Sequence, residues 1–209
     1  MVEGVSATIG PWIAVGGLAA ILLGLGAALF LALAMGRLSL DLGWGRSFHR
    51  LGPIEVRIEA PRDLVFELIS SPYLGRTPRD SGIEVLARGD DLVVAAHATK
   101  VHFYTARTVE AVRFEPPHRV GFRHLTGPVP HAVEEFALEE IPGGTVLRYG
   151  GEVGIDFYFL GRLAGRRWVR PQWERAVREH LDDLTNRAEE RAERLRGRGE
   201  RDGPGSAPA

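Results

Sequence analysis

Residues 54–72 read IEVRIEAPRDLVFELISSP, and their pattern changes halfway. Ile54, Val56 and Ile58 alternate with Glu55, Arg57 and Glu59. That period of two belongs to a strand with one buried face. Pro61 then stands where a first helical residue tolerates the missing N–H. Leu64, Val65, Leu68 and Ile69 follow at helical spacing, and the helix is predicted to end near Ser70-Ser71-Pro72.

Downstream, predicted strands crowd together. They cover Ile83–Arg88, Leu92–Thr99, His102–Phe114, Arg119–Leu125, Ala132–Ile141 and Thr145–Phe157, separated by Gly-Asp-Asp, Pro-Pro-His, Gly-Pro-Val-Pro and Pro-Gly-Gly turns. Strands so closely spaced favour an antiparallel meander. From about Leu160, Leu163, Trp173, Val177, Leu181, Leu184 and Ala188 mark one face of a long helix. Pro171 is predicted to kink or restart it. After Arg196 the chain has nothing to bury, and residues 197–209 are expected to form a disordered tail. The order is strand, helix, six strands, long helix. An α+β domain in which a curved antiparallel sheet wraps the terminal helix buries both apolar faces, and tends to leave space between them.

Upstream, Pro11–Met35 holds no charged residue. As a helix at ~1.5 Å per residue it exceeds the ~30 Å core of a bilayer. The n-region of residues 1–10 carries only Glu3, and the apolar run is longer than a secretory leader requires, so the segment reads as one transmembrane helix kept as an anchor. Arg37, Arg46 and Arg50 follow it and no Lys or Arg precedes it, which predicts a single-pass cell-membrane protein with its C-terminal domain cytoplasmic. Trp12 and Trp44 are candidate interfacial anchors. Gly16, Ala20, Gly24, Ala28, Ala32 and Gly36 recur every fourth residue, a stripe that admits a second helix and a homodimer, or merely reflects composition. Residues 36–53 read as a juxtamembrane linker, either lying on the membrane or serving as a flexible tether. The domain proper is expected over 54–196.

Composition narrows the chemistry. The 209 residues carry a formal charge of −1 and no cysteine. Nothing global points to nucleic acid, and thiolate metal sites, disulfides and a cysteine nucleophile are excluded. No metal-binding spacing, phosphate loop, dinucleotide fingerprint or serine elbow occurs, so no metal and no cofactor is expected.

IEVRIEAPRDLVFELISSP resembles the opening of the SRPBCC superfamily, the START-like group of polyketide cyclases/dehydrases and lipid-transport proteins. FEPPHRVGFRHLTGP, IPGGTVLRYGGEV and VRPQWERAVREHLDDLTNRAEER resemble its Pro-Pro turn, its Gly-Gly-Thr turn and its closing helix. The resemblance covers residues 54–195 and implies a helix-grip fold with a cavity between sheet and helix. Members bind lipids, sterols, quinones or polyketides there, and some are cyclases; the family supplies no fixed catalytic set. The membrane span departs from most members.

Candidate site residues follow from parity and composition. His97, His102, His124 and His131 fall in or beside strands, and His124 shares a face with Val120 and Phe122. Tyr104, Phe122, Phe136, Tyr149, Trp168 and Trp173 are, with His124, the expected ligand-binding set, because apolar pockets carry a few placed polar groups. Each has a plainer reading as core. Gly161–Arg170 carries Arg162, Arg166, Arg167 and Arg170 without an acid, and with Arg37 is expected to meet anionic lipid, or else to face solvent or a ligand headgroup. Glu134, Glu135, Glu139 and Glu140 read as outer-face residues without a role. The expected partners are membrane lipids and a hydrophobic small molecule. The function expected is binding or transfer of a lipid, quinone or isoprenoid. The alternatives are a cyclase or dehydratase using His124 or Tyr149, and a non-catalytic partner in a membrane complex. Against catalysis stands the lack of paired titratable groups.

Overall fold

A computed structural model describes residues 6–75, 82–101 and 104–201. Among these, α1 (Ser6–Ala34) precedes β1 (Ser47–Ile58), α2 (Arg62–Leu74) and β2 (Ile83–Arg88). There follow β3 (Leu92–Val101), β4 (Tyr104–Glu115), β5 (Arg119–Thr126), β6 (His131–Ile141) and β7 (Gly144–Ile155). The chain closes with α3 (Tyr158–Ala164), a π-helical turn (Gly165–Val169) and α4 (Arg170–Arg201). His102, the side chain of Trp12, the flank before Ser6 and the tail beyond Arg201 lie outside the described residues.

The seven strands form one antiparallel sheet in the order β1-β7-β6-β5-β4-β3-β2. Six strands meander, and β1 returns to cap the β7 edge. Leu181, Leu184, Ala188 and Ala192 of α4 are buried in one core with Ile54, Ile58, Val65, Phe66 and Leu147. Sheet, α2 and α4 thus grip each other as the α+β pattern predicts, and the fold is a helix grip.

Three features depart from the sequence reading. First, β1 starts at Ser47, inside the stretch expected as linker. Its pairing with β7 slips between Leu51 and Ile54, so the buried residues there stand three apart and the alternation breaks. Pro53 hides the strand further. Second, the π turn precedes Pro171, with the Arg170 N–H donating to Gly165 O. The wider turn spares the ladder the hydrogen bond and the clash that proline imposes. Third, α4 runs to Arg201, past the expected start of the tail.

The rest of the linker is bonded to the domain. The Arg107 N–H donates to Met35 O at 3.0 Å, and Ser39 Oγ donates to Gly127 O at 3.0 Å. Gly36 has φ +68°, and a Cβ there would lie 1.9 Å from Arg107 O, so only glycine fits. Asp156 then takes the Leu42 N–H at 2.9 Å, the Gly43 N–H at 3.0 Å and Arg46 Nε at 2.7 Å. Arg46 also pairs with Asp41. Buried carboxylates require such donors. Every one of these contacts lies at the end of the sheet where β1 begins and β7 ends.

Residues Ile13–Ala34 of α1 are long and apolar enough to cross a membrane, and that helix is not buried against the domain. Its 22 residues span about 33 Å.

Candidate functional site

Strand alternation sends the even residues of β4 and β6 and the odd residues of β7 inward. Glu110 and His124 are directly paired across β4 and β5. His124 Nε2 lies 3.1 Å from Glu110 Oε1 and 3.7 Å from Glu134 Oε2. Thr108 Oγ1 donates to Glu110 at 2.8 Å. Glu134 Oε1 accepts from Tyr149 Oη at 2.5 Å and from Trp173 Nε1 at 2.7 Å, tying β6 and β7 to α4. His97 Nε2 stands 3.5 Å from Glu110 Oε2, too loosely for a hydrogen bond.

The side chains of Glu110, His124 and Glu134 are 9%, 4% and 13% exposed. Burial opposes charge on His124, but the two carboxylates overcome it and push its pKa up to about 9. Burial likewise works against the Glu110 anion, and contact with His124, the neighbouring histidine charges and Thr108 still hold its carboxyl below the usual range. His97 is lowered by burial. Burial and Glu134 raise Tyr149. Neither ring nitrogen of His124 completes a well-aligned hydrogen bond within the protein among the described residues. Nδ1 faces the β5–β6 turn, where a Cβ on Gly127 would lie 3.7 Å from it.

Around this polar node the walls are apolar. Tyr73 of α2 meets His97, Phe114 and Phe122 at ring distances of 5.7, 5.8 and 6.1 Å. Trp173 lies 5.2 Å from His124. His180 of α4 stacks on the inward ring of Phe136 at 6.4 Å, yet it is solvent-exposed.

Of the expected ligand-binding residues, Phe122, His124, Phe136, Tyr149 and Trp173 converge here. Tyr104 is half-buried at the start of β4. Trp168 is 56% exposed and is not brought to the interior. Its helix turns its glycines inward instead: a Cβ on Gly161 would lie 1.9 Å from Asp156 O, and one on Gly165 would lie 2.2 Å from the His49 ring. Arg162, Arg166, Arg167 and Arg170 are exposed on the same segment, and Trp44 is exposed beside it. His131 pairs with Glu152 near the surface.

Glu134 corrects the outer-face reading. It shares parity with Ala132, Phe136 and Leu138, which are all buried, and that alternation was the available signal. Glu110 was missed altogether; Arg107 and Arg113 on the opposite parity of β4 mark its face as the inner one. A depression of about 490 Å³ lies over outward residues of β6 and β7, among them Val133, Glu135, Ala137, Arg148 and Gly150. It is open, and its lining also includes Glu134 and Tyr149 of the node. Among the described residues no cluster of three or more His, Cys, Asp or Glu has the geometry to hold a metal ion.

The family model described as polyketide cyclase/dehydrase and lipid transport matches residues 54–189. The chain belongs to this family, within the SRPBCC superfamily its motifs resemble. No curated protein matches the sequence. Among solved structures it is similar to the di-domain ARO/CYC BexL from the BE-7585A biosynthetic pathway, with TM-score 0.57 and 20% identity over 69% of this chain and 50% of that one. The chain therefore spans half the length of BexL. It is also similar to TTHA0849 from Thermus thermophilus, with TM-score 0.55 and 19% identity over 68% of this chain and 97% of that one. The Zhui aromatase/cyclase from Streptomyces sp. R1128 matches with TM-score 0.51 and 20% identity over 71% and 94%. Identities this low speak for the fold alone.

Proposed function

We propose that this protein is a single-pass membrane-anchored binding protein that holds an apolar small molecule, a lipid, quinone or isoprenoid, between its sheet and α4. The observation that carries this reading is the solvent-reached His180 stacked inside the grip, among apolar walls around one polar node. The anchor supplies the reason for its location. An apolar ligand resides in the bilayer, and tethering raises the effective concentration of its binder without any new contact. The arginines that follow α1 favour a domain on the cytoplasmic side.

The bonded linker supports a fixed rather than a loose approach to the membrane. It fastens the exit of α1 to the end of the sheet that also carries α3. There Tyr158, Phe159 and Leu160 are 68%, 70% and 68% exposed, beside Arg162, Arg166 and Arg167. Apolar groups that dip into a bilayer and arginines that meet its headgroups fit this segment. On α1, Gly16 and Gly24 have open space around them, which leaves that part of the small-residue stripe free for a second copy, whereas Gly36 lies past the end of the helix and packs on Arg107.

The test is extraction of the full chain in native lipid discs, followed by mass spectrometry of the organic phase. One apolar compound enriched over bulk lipid to about one per chain is expected; a composition identical to discs without the protein overturns the reading. A second reading, a cyclase or dehydratase, is favoured by the buried Glu110–His124–Glu134 constellation, because paired titratable groups in contrasting environments are what acid–base work needs. His124 would act there as a charged donor. Under that reading His124→Gln abolishes turnover while the ligand is still retained.

A further inference from the structure

Among the described residues, the exposed apolar side chains outside α1 are not spread evenly. Ten large ones fall in 38–48 and 157–168, and the other four are single leucines, Leu74, Leu86, Leu125 and Leu195. Single exposed leucines are ordinary, whereas a contiguous apolar patch marks an interaction surface. The two stretches are joined in space. The Phe157 N–H donates to Trp44 O at 2.7 Å, and the Tyr158 N–H to Gly45 O at 3.1 Å. Those bonds hold an unusual turn: Phe157 and Tyr158 have φ of +76° and +49°, left-handed values that bulky residues rarely adopt. The Tyr158 ring lies so close over Gly45 that a Cβ there would come within 2.3 Å of it. Backbone of this kind persists where its surroundings over-determine it, and it clusters at functional sites. Here it leaves Tyr158, Phe159 and Leu160 turned to solvent.

The charge around this patch has one sign. The only acids in 35–50 and 156–170 are Asp41 and Asp156, and both pair with Arg46. Arg170 pairs with Glu174. Arg37, Arg50, Arg162, Arg166 and Arg167 are exposed and make no ion pair among the described residues. A second copy packed face to face would set arginines against arginines. The end of α1 points to a different occupant. Met35, one residue past that helix, accepts from the Arg107 N–H, so α1 runs straight into the domain. The linker then crosses this end of the sheet, bonded at Gly127, Asp156, Phe157 and Tyr158. A face fastened beside the exit of a membrane span meets the lipid of that leaflet first.

We infer that residues 157–168 form a second membrane attachment that selects anionic phospholipid. Tyr158, Phe159 and Leu160 enter the leaflet from which α1 emerges, and Arg162, Arg166 and Arg167 hold the headgroups. This rests on the reading of α1 as a membrane span, and adds the docked face and the class of lipid it requires.

The chain has no cysteine, so a single introduced one carries a nitroxide label. Full-length chains are labelled at Phe159→Cys, at Leu22→Cys in α1, and at Asp90→Cys in the β2–β3 turn at the far end of the sheet. They are placed in discs of phosphatidylcholine, alone or mixed with phosphatidylglycerol, and collision with oxygen and with a nickel chelate reports depth. In the anionic discs the label at 159 should be shielded from nickel about tenfold better than the label at 90, and in neutral discs the two should agree within about threefold. At roughly fivefold per arginine, Arg162→Gln, Arg166→Gln and Arg167→Gln together should weaken docking about a hundredfold and expose 159 in anionic discs as well. A label at 159 as open to nickel as that at 90 in anionic discs overturns the inference, and so does equal shielding in neutral discs. Spin–spin broadening between labels at 159 in detergent would assign the face to a second copy and overturn it too. If the label at 22 is open to nickel, the membrane span itself falls. The comparison of disc compositions needs no arginine variant, so it decides the matter even where the triple variant fails to fold.

Discussion

Asp156→Asn should release the linker without unfolding the domain. The Asp156 side chain is 3% exposed and takes two backbone N–H groups and the guanidinium of Arg46. Hydrogen bonds to charged groups are worth about 1.5–3 kcal/mol each, against roughly 1 for neutral ones. An asparagine keeps the shape but loses the charge, and its amide must aim two hydrogens at a shell made wholly of donors. Only the thin linker covers the site, and solvent enters once the linker opens, so the sum of four such differences is discounted to about 2–4 kcal/mol. At about 1.4 kcal/mol per decade, the Leu42 and Gly43 amides should exchange roughly 30- to 700-fold faster in the variant. Hydrogen exchange of the full chain in lipid discs reads this directly, with the β6 and β7 amides as internal controls. The wild type should behave alike in acid. Arg46, followed by the two backbone donors, holds the Asp156 carboxyl below its usual 3.8 against the pull of burial. Its contribution is therefore complete above about pH 4 and is lost as pH falls through the depressed folded value. Unchanged exchange at Leu42 and Gly43 in the variant would refute the claim that Asp156 holds the linker down.

Adjacent glycines in β7 should respond oppositely. Gly151→Ala places a Cβ 2.3 Å from Val133 O and 3.0 Å from the Glu134 Cα, and should cost about 1–3 kcal/mol in chemical denaturation, whereas Gly150→Ala meets nothing within 4 Å and should be neutral within about 0.5. Equal losses at both positions would contradict the strand register. For His124 the folded pKa of about 9 stands above the unfolded 6.5, so its stabilisation is complete below pH 6.5 and fades as pH rises through 9. The loss should be on the order of 3 kcal/mol, read from denaturation midpoints, with the ring's own titration followed by nitrogen NMR. A His124 that titrates near 6.5 would mean that the acids do not hold it charged. His97, lowered by burial, should titrate below 6.5 in the same spectra.

The sequence carries the fold because the fold is written in short-range signals. Alternation at Ile54–Ile58, the helical spacing of Leu64–Ile69 and the stripe on α4 each report a burial pattern that the local backbone repeats. It fails where two distant segments must agree. The first half of β1 is invisible because its bulge at Leu51–Ile54 exists only against β7. Trp168 reads as an inward aromatic until the π turn ahead of Pro171 takes it off the packed face. The polar node is hidden for another reason. Its acids come from β4 and β6 and its histidine from the strand between them, so no spacing along the chain can present them as a pair. Charge biased the reading as well. Glu134 stands in a run of acids that looks solvated, though its parity with Phe136 and Leu138 points inward.

The same long-range logic joins α1 and the candidate site. Asp156 directly follows the strand that supplies Tyr149, and its carboxylate is the hub on which the linker from α1 closes. Gly161 packs on the Asp156 carbonyl, so α3 is fixed at that corner too, with its apolar and basic residues turned outward. A loose tether would let the open grip face any direction. A linker bonded at Arg107, Gly127 and Asp156 holds one end of the sheet to the exit of α1, and the polar node sits in the half of the sheet nearest that end. On the proposed reading of the grip as a bilayer-fed site, freeing the linker should therefore slow ligand uptake from lipid discs while leaving affinity in detergent unchanged, since the walls and the node are untouched.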